Sequence, residues 1–192
     1  MPDFYEINAR EYFEATARID PSSFLTPFTE TLGQGSVLDI GCGSGRDLRW
    51  LKQRGFDVVG FERSPKLAAL AREHAGCPVI EGDFLTFDFS SLEFDALILV
   101  GALVHLDRTM LPVVLNRVVQ ALSGTGLLYM TLKEGEGVRP GKDGRSFTLW
   151  QPQELETVFS STGLQILSFS RQMSKLTETD VWLSYLLRLG PE

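Results

Sequence analysis

The stretch Val37-Leu38-Asp39-Ile40-Gly41-Cys42-Gly43-Ser44-Gly45 decides the fold. Ser36 to Ile40 is a short apolar run with strand character. It breaks into three alternating glycines, and Arg46 to Arg54 then has the pattern of a helix stopped by Gly55. Strand, glycine turn and helix in that order open a parallel α/β unit. The glycines let the backbone turn sharply and approach a ligand closely, while the helix offers unpaired N–H groups at the positive end of its dipole. A dinucleotide fingerprint GxGxxG would need glycine at 46, where Arg46 stands, and no phosphate-cradling GxxxxGK(S/T) is present.

The alternation continues downstream. Val58 to Phe61 is a second strand, and Ser64-Pro65 starts a helix over Lys66 to Ala75 that Gly76 stops. Val79-Ile80 is a short third strand, and the nearly unbroken apolar run Asp95 to Val100 fits a central parallel strand buried on both faces. Thr109 to Leu122 has helical spacing of Leu111, Val114, Leu115, Val118 and Leu122; Ser123 to Gly126 is then a turn into a strand at Leu127 to Leu132. Lys133 to Arg145 is polar and glycine-bearing, so a loop is expected. Gln151-Pro152 opens a helix ended by Gly163, and two closing strands, from Leu164 and Val181, are joined by a loop short enough for an antiparallel pair. Upstream, Phe4 to Ala17 is an amphipathic helical stretch. A second helix starts at Asp20-Pro21, carries Phe24, Phe28 and Leu32, and is expected to bend or restart at Thr26-Pro27. Both precede the first strand, so residues 1–35 form a candidate lid over a core at 36–189, within one domain spanning 1–192.

Composition narrows the function. The chain has 192 residues with 18 Lys plus Arg against 25 Asp plus Glu, a formal charge of −7, which disfavours docking on a phosphate backbone or an anionic membrane surface. Apolar runs fall short of the roughly 20 residues that cross a bilayer, and the N-terminus has no basic-then-apolar leader pattern, so a cytoplasmic protein is expected. Cys42 and Cys77 suit neither a disulfide framework nor a metal site. No oligomeric state is set by these features.

In a doubly wound sheet, ligands bind beyond the carboxyl ends of the strands. Glu62 closes the second strand, 19 residues after Gly43, where an acid can accept from both hydroxyls of a ribose. Gly82-Asp83-Phe84 follows the third strand and joins an acceptor for an exocyclic amine to an aromatic ring that can cover a purine.

With these residues in place the chain resembles the class I S-adenosylmethionine (SAM) dependent methyltransferases, above all their small stand-alone bacterial members. The resemblance rests on Val37 to Gly45, Glu62, Gly82 to Phe84, the stretch Phe94 to Leu106 and the turn Leu122 to Gly126. It implies a Rossmann-like three-layer αβα sandwich whose seven-stranded sheet is mostly parallel with the last strand antiparallel. It also implies SAM as cofactor. Asp39, Gly41, Cys42 (through its backbone) and Gly43 would hold the amino acid end, and Glu62 with Arg63 the ribose. Asp83 and Phe84 would hold the adenine, Val100 and Gly101 would line the methionine end, and Tyr5 and Tyr12 would close over it.

His105 follows the fourth strand beside the expected position of the acceptor. With an unperturbed pKa near about 6.5, it is the candidate general base. Arg46 and Arg145 are candidates to receive an anionic substrate. The fourth strand ends in Val100-Gly101-Ala102-Leu103, without the (Asp/Asn)-Pro-Pro-(Tyr/Phe) of base amino-methyltransferases or the Pro-Cys of cytosine-C5 enzymes. Methyl transfer to a small-molecule acceptor is therefore expected, with no nucleic acid, membrane or metal involved. Two alternatives stay open: a SAM-binding sensor or scaffold without turnover, and a nicotinamide-dependent oxidoreductase.

Overall fold

Alternation of side chains along the first strand sets up two cores. In the computed structural model, which describes residues 4–141, 143–175, 177 and 179–190, β1 (Ser36–Ile40) sends Val37 to one face and Leu38 and Ile40 to the other. Three helices precede it: α1 (Phe4–Ile7), α2 (Ala9–Thr16) and α3 (Ser22–Leu32). Then follow α4 (Arg46–Lys52), β2 (Asp57–Glu62), α5 (Pro65–Ala75), β3 (Val79–Glu81), β4 (Phe94–Val100), α6 (Leu111–Val118) and β5 (Leu122–Glu134). The chain closes with β6 (Val138–Pro140), β7 (Ser146–Trp150), α7 (Pro152–Ser161), β8 (Leu164–Met173) and β9 (Val181–Leu189).

Strands β3, β2, β1, β4 and β5 lie side by side in that order, all parallel. The last strand, β9, is inserted antiparallel between β5 and β8. These seven strands have the arrangement expected of a Rossmann-like sandwich, and β7 and β6 extend the sheet to nine strands where seven were expected. α3, α4 and α5 bury Leu25, Phe28, Leu48, Leu51, Ala68 and Ala71 on one face. On the other face, α6 and α7 contribute Leu111, Val114, Leu115, Leu155 and Phe159. The helix signals act as expected: Ser64 Oγ accepts from the Leu67 N–H at 3.2 Å to cap α5, and Gly76 ends it in the left-handed region at φ +63°.

Four local expectations change. The segment after Lys133 is not a plain loop: β5 runs on to Glu134, and β6 and β7 form an antiparallel hairpin whose second strand pairs with Lys133 and Glu134. Edge strand β6 is only Val138-Arg139-Pro140, too short for a period-2 signal, and ends on a proline. The turn at Ser123 to Gly126 lies inside β5 as an irregularity, because Phe94 pairs with Leu122 while Ala96 already pairs with Leu127. Helix α6 ends at Val118, and 3₁₀ turns at Arg108–Met110 and Val119–Ala121 flank it.

The fourth change concerns the N-terminal helices. The first stretch breaks at Asn8, and α3 continues through Pro27 without restarting. Proline at 27 deprives the Ser23 carbonyl of its helical donor, and the Gln172 side chain of β8 supplies one instead at 3.0 Å.

Candidate active site

The glycine turn is held by the strand beside it. The Gly41 and Cys42 N–H groups donate to the Phe61 carbonyl at 2.7 and 3.1 Å. The Glu62 carboxylate, buried at the end of β2, accepts from the Gly43 N–H through Oε2 and from the Ser64 N–H through Oε1, both at 2.9 Å. One acid thus ties the turn to the start of α5. Gly43 has φ +54°, and a Cβ there would stand 3.1 Å from Tyr12 Cε1. At Gly45 a Cβ would stand 3.0 Å from the Ala71 backbone, so glycine is what lets the start of α4 pack on α5. Cys42 is buried against Gly60, and burial pushes its thiol pKa up, so it packs and offers its backbone to the turn.

Asp39 is 2% exposed, and its Oδ2 has no hydrogen-bond partner. Burial, with Asp47 next in effect, raises its pKa well above the ordinary carboxylate range. Arg46, expected to be available for an anion, is held by Asp47 through Nε and Nη2, both at 2.7 Å. The wall around the amino end of the glycine turn therefore carries two acids and one base. A carboxyl whose folded pKa is raised binds protons more readily when folded, so its charge destabilises the protein increasingly as pH climbs above about 3.9. Asp39→Asn should then raise stability near neutral pH by on the order of 1 kcal/mol. The gap to wild type should widen from pH 4 upward in denaturant titrations; a constant gap would contradict the assignment.

Asp83 follows β3 and turns back on its own loop. Its Oδ1 accepts from the Leu85 N–H at 2.9 Å, and Arg63 Nη1 lies 3.7 Å from its Oδ2. Phe84 packs half-buried beside it. At the end of β4, the Gly101 N–H donates to Thr131 Oγ1 of β5 at 2.9 Å. A cavity of about 190 Å³ gathers Gly43, Glu62, Arg63, Phe84, Gly101 and His105 on its walls, with Tyr5 and Tyr12 above them. Asp83 is not on that wall. A second cavity of about 320 Å³ adjoins it, and the two share Tyr5, Tyr12, Gly41, Val100 and Gly101.

Tyr5, on α1, reaches across the mouth of β4. Its hydroxyl is 2.7 Å from His105 Nε2 and accepts from Arg145 Nη1 at 2.9 Å, while His105 Nδ1 lies 2.6 Å from the Ser146 carbonyl. A carbonyl only accepts, so Nδ1 carries the proton, Nε2 is the acceptor, and Tyr5 donates to it. His105 lines the smaller cavity and Tyr5 lines both. Burial lowers the His105 pKa below 6.5. Arg145 is further held by Asp143 and lies over the Phe4 ring, 4.0 Å from its centroid.

The hairpin that sequence reading missed positions this group. The Thr148 N–H donates to Val104 O at 2.8 Å and its hydroxyl to Leu106 O at 2.7 Å, stitching β7 to the His105 loop. Lys133, Phe147, Asp180 and Trp182 also line the larger cavity, and none was assigned a role from the sequence. The available signal was a lysine closing an otherwise apolar strand, which is indistinguishable in sequence from a solvated strand end. Among the described residues no group of three or more His, Cys, Asp or Glu is placed to hold a metal, and no helix is long and apolar enough to cross a membrane.

Residues 37–126, from β1 into the start of β5, match the family described as "Methyltransferase domain". Residues 37–126, just under half of the chain, thus carry a methyltransferase domain. This methyltransferase domain is 32% identical over 75 residues to an uncharacterized methyltransferase of Alkaliphilus oremlandii, covering 38% of the chain and 34% of the relative. It is 35% identical over 114 residues to the 18S rRNA (guanine-N(7))-methyltransferase bud23 of Schizosaccharomyces pombe, covering 54% and 39% respectively. The chain thus spans little more than a third of the length of these curated relatives. Its fold is similar to that of the Burkholderia thailandensis 1,6-didemethyltoxoflavin-N1-methyltransferase, solved with its acceptor and S-adenosylhomocysteine (SAH), with a TM-score of 0.76 at 19% identity over 97% of this chain and 84% of that one.

Proposed function

We propose that this methyltransferase domain moves the methyl group of SAM to a small-molecule acceptor. The observation that carries the reading is the pair of adjoining cavities. Both meet the glycine turn, the smaller at Gly43 beside Glu62 and the larger at Cys42 and Ser44, beyond which the larger is walled by rings and polar groups; they share Gly41, Val100 and Gly101. The residues fit the cofactor: Asp39 keeps an unpartnered buried oxygen, and Gly43 leaves open the space that a side chain would fill. Asp39, Gly41, Cys42 and Gly43 would hold its amino acid end, Glu62 with Arg63 its ribose, and Asp83 with Phe84 its adenine. Val100 and Gly101 would border the methionine end. Glu62 accepts one backbone hydrogen bond on each oxygen, and a carboxylate has about four acceptor positions, so ribose hydroxyls can still be received. Of the expected lid at 1–35, the described residues 4–35 would act through Tyr5 and Tyr12, and residues 1–3 lie outside the described residues.

The cofactor's sulfonium supplies an already activated methyl group, which leaves the chain to align the acceptor, exclude water and take up a proton. In this reading His105 is the base and Tyr5 stands between it and the acceptor. An acceptor hydroxyl passes its proton to Tyr5 Oη while the Tyr5 proton moves to His105 Nε2. The imidazolium keeps Nδ1–H on Ser146 O, and Arg145 steadies the phenol oxygen. Neutral Nε2 is required, and burial has lowered its pKa, so turnover should hold through pH 6.5 and fall only below it. An acid limb of the pH–rate profile above 6.5 would remove His105 from the step.

The Schizosaccharomyces pombe relative is named for ribosomal RNA, and the charge of −7 weighs against an RNA acceptor here. The same charge and the absence of a membrane-crossing helix among the described residues fit a cytoplasmic protein. Calorimetry with SAM, SAH and NAD, followed by transfer of labelled methyl to a cell extract split into small-molecule and RNA fractions, tests the reading. Binding of SAM and SAH with label among small molecules is expected. Label in RNA alone would overturn the small acceptor, and binding without label in either fraction would make the chain a sensor. Binding of NAD alone would overturn the methyltransferase reading.

A further inference from the structure

The larger cavity is walled by an excess of positive charge in a chain whose net charge is negative. Four cations face it, Arg46, Lys133, Arg145 and Lys175, against two carboxylates, Asp47 and Asp180. Most of these charges are accounted for. Arg46 is held by Asp47, Arg145 by Asp143, and Lys175 is exposed and donates to Asp20 O at 2.7 Å. The remainder is a triad, buried at two of its three members. Lys133, 8% exposed, donates to Asp180 Oδ2, and Arg139 donates to Asp180 Oδ1. Arg139 is 41% exposed on its side chain and keeps water around its charge, whereas Lys133 is buried with a carboxylate that it shares. A buried charge is costly unless an opposite charge balances it. Of the three ammonium protons of Lys133, Asp180 takes one among the described residues, and the Phe147 and Trp182 rings lie 4.2 and 5.2 Å from Nζ.

The sheet register places this cation relative to the reacting end. Thr131 and Lys133 point to the same face of β5, and their partners on β9 are Ser184 and Trp182. All four line the larger cavity. Thr131 holds Gly101, which the two cavities share, and Lys133 lies two residues, or about 7 Å, farther along the strand.

We propose that the acceptor is a small organic acid whose carboxylate or phosphate group is received by Lys133 between the rings of Phe147 and Trp182, with its methyl-accepting atom toward Gly101 and Thr131. This rests on reading the larger cavity as the acceptor chamber. It replaces Arg46 and Arg145, each of which gives two N–H groups to one carboxylate, with Lys133, whose partner Asp180 is shared with Arg139 and takes one of its three protons. An acid of matching length spans the chamber from Lys133 to the cofactor side.

The test is calorimetry of 4-hydroxybenzoate and phenyl phosphate against 4-hydroxybenzamide and phenol, with and without SAH, on wild type, Lys133→Met and Lys133→Arg. The methionine variant leaves Asp180 paired with Arg139, so it strands no buried carboxylate, and the arginine variant keeps the charge. Each acid should bind wild type about tenfold to a hundredfold more tightly than its uncharged counterpart, the scale of a hydrogen bond to a charged group. That preference should vanish in Lys133→Met and survive in Lys133→Arg, with SAH affinity unchanged in both. Acids binding no better than their uncharged counterparts, or a preference that survives Lys133→Met, would overturn the proposal. An acid preference without any SAH binding would overturn the cofactor reading and leave this one standing.

Discussion

Gly43→Val abolishes SAM and SAH binding, by more than about 1,000-fold or about 4 kcal/mol, while the chain still folds. Gly43 has φ +54°, where a β-branched residue is strained, and the new Cβ would stand 3.1 Å from the Tyr12 ring, inside the smaller cavity. Backbone strain of this kind costs about 1–3 kcal/mol, less than the roughly 5–15 kcal/mol that keeps a domain folded. The same shift pulls the residue 43 N–H away from Glu62 Oε2, so the acid assigned to the ribose loses its anchor as well. Circular dichroism should report a cooperative melt at a lowered midpoint, and calorimetry no heat of SAH binding. Unchanged affinity would remove the glycine turn from the site.

Tyr5→Phe separates the two roles given to the first helix. The ring remains, so its edge contact with Tyr12, at 5.1 Å between centroids, still closes over the cofactor side. The hydroxyl is lost, and with it the link between the larger cavity and His105 Nε2. For a hydroxyl acceptor, kcat should fall about 10²- to 10⁴-fold with little change in SAM affinity. Tyr5→Phe/His105→Ala should be no slower than the worse single variant, because both substitutions break one relay. A raised Kd for SAM with kcat intact would make Tyr5 a lid residue and nothing more.

Much of the fold was legible because its signals are local. Ser64-Pro65 and Gly76 bracket α5, and Gln151-Pro152 starts α7. The glycine turn and Glu62 were legible for the same reason, since their spacing follows from one βαβ unit. The acceptor side was not. Lys133, Asp180 and Trp182 meet because β9 is inserted against β5, a pairing between residues 49 apart in the case of Lys133 and Trp182. The β6–β7 hairpin was hidden by an edge strand of three residues, too short to show a period, and with it the support of His105. Arg46 was expected to be available to an anionic substrate, but the carboxylate that occupies it is its own neighbour, Asp47.

The bridge from Tyr5 to Arg145 spans 140 positions, and those from Gln172 to Ser23 and from Lys175 to Asp20 span 149 and 155. During synthesis the first two dozen residues leave the ribosome long before these partners exist. Helices as short as α1 and α2, of four and eight residues, are not stable alone in water. The larger cavity, which Tyr5, Ser23, Arg145, Gln172 and Lys175 all line, is therefore closed only when nearly all of the chain has been translated.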